Sequence, residues 1–291
     1  MPLLPLVIAC MTLPCHSETD AVAEAGVGKS YVLMSEKPEK APGLKTTVSD
    51  VMSMEGGKFS IDSAQGVLEG TMAIKTTKVI SASNETAAKV NVKITKSEAE
   101  QKMIMNGQEL PQPPQVLPLV DVPLVATLTN GIWRAAREDG EKVSAVEQAE
   151  LLNAERLVSG VEDKNVYGTG ARKPGDTWTV DAKKMSMVDA GDDVEGTVEM
   201  SFEKVDAHKG EECAFLSGEI NMTGSTPSAE GDNGVKMELK GTFEIVRSLK
   251  DQVDLFREMK GTMEMEMNTP AGIMKMSGPT VMKRTSVVGK E

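Results

Sequence analysis

Apolar and polar residues alternate along most of the chain, which is typical of antiparallel strands with one face in a core. In residues 235–245, the odd positions are apolar or glycine and the even positions are polar. The same period of two recurs in residues 90–94, 198–203 and 263–267. Asn130-Gly131 separates two apolar runs, and both residue types tolerate the positive φ of a type I′ turn. The pattern therefore predicts strands joined by hairpins.

Two segments depart from this alternation. Residues 144–158 predict an α-helix, because Ser144 and Glu147 form a capping box and Gly160 can end the helix. Its apolar stripe is expected to comprise Ala149, Leu152 and Leu151, lying across the open side of a sheet. The proline-rich residues 109–118 predict an extended loop or linker.

An internal repeat indicates how the strands are organised. Residues 69–94 align without a gap to residues 195–220 and share eight identical positions. A chance match between two alternating strands is the alternative explanation. The prediction is an all-β protein of antiparallel β-meanders, internally duplicated and half-barrel-like, with one crossing α-helix. Its parts are a signal peptide (1–17), an N-terminal β repeat (18–133), a helical connector (134–165) and a C-terminal β repeat (166–291).

The beginning of the chain predicts export. Residues 1–17 contain no Lys, Arg, Asp or Glu, and residues 3–13 form an apolar run that is too short to span a bilayer. Cleavage after Ser17 would release a soluble chain, whereas residues 7–10 resemble a lipobox that would attach a lipid anchor to Cys10. We therefore expect a periplasmic or secreted protein without a transmembrane helix in its mature form.

Composition narrows the possible partners and cofactors. The 291 residues include 44 acidic and 32 basic side chains, giving a net charge of −12 that repels nucleic acid. Aromatic residues make up 3% of the chain, but there are 20 methionines, so we expect a soft, adaptable core. Export would leave only Cys213 and His208 of their types, too few for an intramolecular disulfide or a four-ligand Cys/His zinc site. No cofactor is expected.

Candidate catalytic groups have simpler structural explanations. His208 lies in a predicted hairpin turn, and Cys213 is expected to be a small buried residue. Residues 23–30 resemble a phosphate-binding loop but lack its first glycine and its following helix. The carboxylates Asp189, Asp192, Asp193 and Glu195 are typical of a solvated loop, with a hard-cation site or a carboxylate-based hydrolase as alternatives. We predict that the protein is not an enzyme.

Methionines at every second position are the most distinctive chemical feature. Such pairs occur at Met52/Met54, Met103/Met105, Met185/Met187, Met263/Met265/Met267 and Met274/Met276. If the inner face of the sheet is uncovered, these side chains form a groove for a lipid or polypeptide. The predicted lining is Met200, Met237, Met263, Met265, Met267, Met274 and Met276. Alternatives are an envelope structural or interaction protein with fully packed sheets and, less favoured, thioether binding of Cu(I).

Three segments resemble a known group of proteins. Residues 128–133, 172–181 and 261–279 are similar to segments of uncharacterised secreted β-rich proteins of planctomycete and verrucomicrobial type. This resemblance spans most of the mature chain, and the group has no assigned activity, so it implies a fold and no function. The architecture also loosely resembles the half-barrels of periplasmic lipoprotein carriers, which wrap a sheet around an apolar groove.

Overall fold

One extended antiparallel sheet dominates the protein. The computed structural model describes residues 28–35, 42–64, 66–110, 115–116, 119–184, 193–228, 231–269 and 272–290. Within these residues, thirteen strands form the main sheet and two short strands pair apart from it. The predicted all-β class is confirmed.

The strands are long because the alternating pattern continues through most of each one. In chain order they are β1 (Tyr31–Val32), β2 (Leu44–Ser63), β3 (Gly66–Thr86), β4 (Lys89–Met105), β5 (Gln108–Leu110), β6 (Gln115–Val116), β7 (Pro123–Thr129), β8 (Ile132–Arg137), β9 (Ala171–Arg172), β10 (Thr177–Asp181), β11 (Asp193–His208), β12 (Glu211–Ser228), β13 (Gly231–Ser248), β14 (Asp254–Thr269) and β15 (Gly272–Lys290).

The strand order joins two meanders side by side. It runs β10-β11-β12-β13-β14-β15-β2-β3-β4-β7-β8, with β5 and β6 also paired to β4. The seam between the meanders is the pairing of β15 with β2, which extends from Ile273↔Asp62 to Lys290↔Leu44. The sheet stays open, with β10 and β8 at its edges.

The observed hairpin turn and helix caps match those predicted from the sequence. Asn130 and Gly131 have φ of 52° and 81° and connect β7 to β8 as predicted. Helix α1 (Ala145–Ser159) begins after Ser144, whose hydroxyl accepts a hydrogen bond from the Glu147 N–H, and ends at the left-handed Gly160. In the proline-rich stretch, by contrast, β5 and β6 pair with β4, so part of the predicted loop is strand.

The helical connector differs from the prediction in two respects. A second helix, α2 (Val161–Tyr167), follows α1 directly, so two helices link the sheet edges instead of one. The buried stripe of α1 is Leu151, Ala154 and Val158, whereas Leu152 is 41% exposed. The predicted stripe was therefore wrong at Leu152, because helical spacing from Leu151 selects a different face.

The proposed repeat does not hold its register through the turn. Both segments form a hairpin, β3–β4 in the first and β11–β12 in the second. The first hairpin turns at residues 87–88, whereas the second turns at Lys209-Gly210. In the ungapped alignment the first turn matches Cys213 and Ala214, which lie within β12. Only the leading strands of the two segments can therefore correspond.

Two clusters of buried apolar residues form the core along the sheet. One lies between α1 and the strands β3, β4, β7 and β8. The larger one extends from β10 through β15 to β4 and includes Val166 and Tyr167 of α2. Glycines in this larger region allow close packing, since a Cβ at Gly218 would lie 2.5 Å from the ring of Phe243. Phe59 covers Gly70 in the same way.

Candidate functional site

The strand register collects the predicted methionines on one face. We call this surface the methionine face, defined by Met200, Met237, Met263, Met265, Met267, Met274 and Met276. Met237 pairs with Met265, and Met265 pairs with Met276. Met267 pairs with Met274 one row further out. Directly paired residues of antiparallel strands lie on the same face, so these thioethers are close neighbours.

Exposure of this face increases toward one end. Met200, Met237, Met263 and Met276 are buried. Met265, Met267 and Met274 are half-buried and pack against the larger apolar cluster. In the outermost row, Met274 pairs with Ile61, and Ile61 pairs with Leu68, which is 45% exposed. Met265, Met267, Met274, Ile61 and Leu68 form what we call the open end of the methionine face, at the end of β2 and the end of β14.

A cavity of about 1080 Å³ is lined in part by Met265, but by neither Met267 nor Met274. Seven strands contribute to its wall, each through two or three consecutive residues. Met237, Met265, Met276 and Phe59 belong to the wall, and so do the charged residues beside them in sequence. Its charged members are Lys58, Glu69, Lys183, Asp193, Glu195, Lys236, Glu238, Glu264, Glu266 and Lys275. Because successive side chains of a strand point to opposite faces, the charged side chains on these strands project away from the methionine face.

Ion pairs on this wall are long and solvent-exposed. The Lys236 Nζ lies 3.7 Å from one carboxylate oxygen of Glu266, and the Lys275 Nζ lies 3.5 Å from the other. Exposed pairs of this kind contribute little to stability, about 0–1 kcal/mol each. These side chains can therefore change partners at little cost.

A second polar cluster, which the sequence analysis missed, lies beneath α2. Arg247 is fully buried and its guanidinium lies 2.5 Å from the Asp254 carboxylate and 3.1 Å from that of Asp163. The Tyr167 hydroxyl donates to Asp254 at 2.7 Å, and Arg257 donates to the same carboxylate at 2.6 Å. We call these five residues the arginine cluster.

The arginine cluster fastens distant segments together. Arg247 also donates to the Leu33 carbonyl at 2.8 Å, which ties the segment beside β1 to β13. Its guanidinium carbon lies 4.0 Å from the centroid of the Tyr167 ring in a cation–π contact. The cluster therefore holds α2, β13, β14 and the first described segment in one arrangement.

Opposite charges within the arginine cluster keep Asp254 and Arg247 ionised. Burial would raise the pKa of Asp254, but Arg257 and Arg247 outweigh it and lower that pKa to about 2. Burial would likewise lower the pKa of Arg247, but Asp163 and Asp254 raise it above its ordinary value. Burial and the Asp254 charge hold the pKa of the Tyr167 hydroxyl well above its ordinary value. Such coupling is typical of a structural ion network as well as of an active site.

Other candidate residues lie apart from the methionine face. His208 ends β11 beside the turn, where its ring contacts Phe215 edge-on, so the predicted turn begins one residue later. Cys213 is fully buried, as predicted, and burial raises the pKa of its thiol. Asp193 and Glu195 begin β11 and line the cavity. Cys10, Asp189, Asp192, Met185 and Met187 lie outside the described residues.

Among the described residues, no group of three or more His, Cys, Asp or Glu side chains is arranged to hold a metal ion. None of the helices described for this chain is both long and apolar enough to cross a membrane.

Comparisons with known proteins give only distant likenesses. No family model matches the chain, and no curated protein matches it. A structure of lipovitellin, described in terms of its lipid–protein interactions, is 10% identical over 87% of this chain, with a TM-score of 0.42. This chain spans 26% of that lipovitellin chain. DynF from Micromonospora chersina is 11% identical over 92% of this chain and 90% of its own, with a TM-score of 0.22.

Proposed function

We propose that this chain is an exported, non-catalytic protein that binds an apolar ligand, such as a lipid acyl chain, at the open end of its methionine face. The observation that carries the proposal is the gradient of exposure along that face. Met263 is buried, Met265, Met267 and Met274 are half-buried, and Leu68 is 45% exposed. The apolar interior of the sheet thus reaches solvent at this end.

Covering such a surface is energetically favourable. Removing apolar area from water contributes roughly 25 cal/mol per Å². Methionine side chains are unbranched and flexible, so they can rearrange around ligands of different shape. The half-buried side chains of Met265, Met267 and Met274 can therefore adapt to a flexible apolar chain, which a rigid aromatic pocket could not do as well.

The methionine face also indicates the class of ligand. Lys58, Lys236 and Lys275 alternate with Phe59, Met237 and Met276 along their strands, so these ammonium groups point to the opposite face of the sheet. The ligand that fits the methionine face is therefore one bound through apolar contact, such as a lipid acyl chain.

A fluorescent fatty acid tests the proposal directly. We expect saturable binding to the intact protein and its loss in the triple variant Met265→Gln, Met267→Gln, Met274→Gln, because amide side chains make the row polar. The corresponding triple leucine variant keeps the row apolar and should retain binding. Val287→Gln, which changes a side chain that is 68% exposed elsewhere on the sheet, is the matched control. Undiminished binding by the glutamine variant would refute the proposal.

An envelope structural or interaction protein is the second candidate. The observation that favours it is that Met200, Met237 and Met263 are already buried, so the inner part of the methionine face is filled. An envelope protein would then be the partner. In that case the intact protein would bind no fatty acid, and chemical cross-linking in the envelope would give a defined partner.

Export is part of the same proposal. It is supported by the uncharged, apolar residues 1–17. Mass spectrometry of the N-terminal peptide of the mature protein distinguishes its two routes. A new N-terminus at Glu18 indicates cleavage and release, whereas a lipid-modified Cys10 indicates a membrane anchor. Protein that keeps Met1 and is confined to the cytoplasm would contradict export.

A further inference from the structure

Four methionines form a compact quartet at the open end of the methionine face. Met265 pairs directly with Met276, and Met267 pairs directly with Met274. Met265 and Met267 are two residues apart on β14, so both project to one side, as do Met274 and Met276 on β15. Directly paired Cβ atoms lie about 4.5–5.5 Å apart, and diagonal neighbours lie about 7–8 Å apart. Flexible thioethers on this grid can converge on one point.

Accessibility separates this quartet from the other methionines of the core. Met265, Met267 and Met274 are half-buried, and Met276 retains 8% exposure. By contrast, Met259 is fully buried and Met222 is 1% exposed. A small ion can reach the quartet from solvent without disrupting the core. Met237, which pairs with Met265, supplies a further sulfur beside it.

The ligand atoms select the kind of ion. Thioether sulfur is a soft donor that prefers Cu(I) to hard cations such as Ca²⁺ or Mg²⁺. The net charge of −12 favours approach of a cation over an anion. We propose that Met265, Met267, Met274 and Met276 form a binding site for a soft monovalent metal ion, Cu(I). This site is separate in chemistry from the apolar ligand proposed above, although both use the open end.

The test uses Ag(I) as a redox-inert probe and Cu(I) in competition with a chromophoric Cu(I) chelator, without oxygen. We expect the intact protein to bind one equivalent of either ion and to withdraw Cu(I) from the chelator. The quadruple variant Met265→Leu, Met267→Leu, Met274→Leu, Met276→Leu removes the thioethers while conserving apolar volume, and it should lose this binding. Zn²⁺ should not compete.

A matched control comes from another methionine pair. Met52 and Met282 also pair directly across β2 and β15 and are also half-buried, but their methionine neighbours Met54 and Met259 are buried, so only two thioethers are accessible there. The double variant Met52→Leu, Met282→Leu should therefore bind Ag(I) as the intact protein does. Equal Ag(I) affinity in the quadruple leucine variant, or no stoichiometric binding by the intact protein, would overturn the proposed site.

The same variants keep the two proposals distinguishable. The quadruple leucine variant preserves an apolar surface, so it should still bind the fluorescent fatty acid while losing Ag(I). Loss of both ligands with an unchanged circular dichroism spectrum would support the metal site and contradict the lipid proposal, because the leucine surface remains apolar. Failure of fatty acid binding with Ag(I) binding intact would refute only the lipid proposal.

Discussion

Arg247 is the largest fully buried side chain among the described residues. The sequence contained a signal for it, because Arg247 continues the odd-numbered series Phe243 and Ile245 that faces the core. From alternation alone, a charged residue at a core-facing position predicts that the strand ends there. The sequence pattern does not reveal the buried partners of Arg247, because Asp163 on α2 and Asp254 on β14 reach the guanidinium only in the folded protein. Cys213 needed no such partner, so its burial was predictable.

Removing the arginine should be strongly destabilising. Arg247→Met keeps much of the volume but leaves the Asp254 and Asp163 carboxylates without their shared partner, so we expect a loss of about 3–5 kcal/mol in the free energy of unfolding. Denaturant titration measures this loss. The control is Arg284→Met, whose partially exposed pair with Asp50 should contribute about 0–1 kcal/mol. Equal effects of the two substitutions would contradict the structural role of the arginine cluster.

Asp254 should also make stability depend on acid pH. Its pKa is about 2 in the folded protein and about 3.9 when unfolded, so the unfolded state binds the proton more readily. The contribution is therefore present above about pH 4 and is lost as pH falls through 2, amounting to about 2–3 kcal/mol. Unfolding free energies measured between these values should fall less steeply in Asp254→Asn than in the intact protein. Parallel profiles would argue against a lowered pKa.

At the scale of elements, local chemistry was the most predictable part of the fold. The capping box at Ser144, the end at Gly160 and the Asn130-Gly131 turn each depend on a few adjacent residues. The buried stripe of α1 was less predictable, because short apolar spacings leave two helix faces possible. Packing against β8 selects the face with Leu151, where Glu155 also accepts a hydrogen bond from the Ala135 N–H at 2.8 Å.

Paired glycines are a second element-level feature, and they have a testable consequence. A Cβ at Gly261 would lie 2.0 Å from the Lys240 carbonyl oxygen and 2.8 Å from the Gly241 Cα, both of them backbone atoms. Gly261→Ala should therefore destabilise the protein by about 1–3 kcal/mol. Gly289→Ala, in β15, meets nothing within 4 Å and should be close to neutral. Thermal unfolding compares them, and a neutral Gly261→Ala would contradict the close approach of β13 and β14.

At the scale of the whole molecule, the decisive contacts are remote in sequence. Alternation predicted two groups of antiparallel strands, but nothing local indicates that β15 pairs with β2, more than two hundred residues away. That seam carries the methionine row onward from Met276 to Phe59 and from Met274 to Ile61. The methionine residues were therefore predictable from sequence, whereas their gradient of exposure was not. The resemblance to secreted planctomycete and verrucomicrobial proteins stays a prediction.

Native mass spectrometry of the mature protein, purified after export and before any delipidating step, is the most direct test of ligand binding at the methionine face. We predict a reproducible added mass matching a lipid, absent from the variant Met265→Gln, Met267→Gln, Met274→Gln and retained when the same three positions are leucine. A protein detected only at its bare polypeptide mass under gentle conditions would contradict the proposed binding of an apolar ligand. The second candidate, an envelope structural or interaction protein, would then remain.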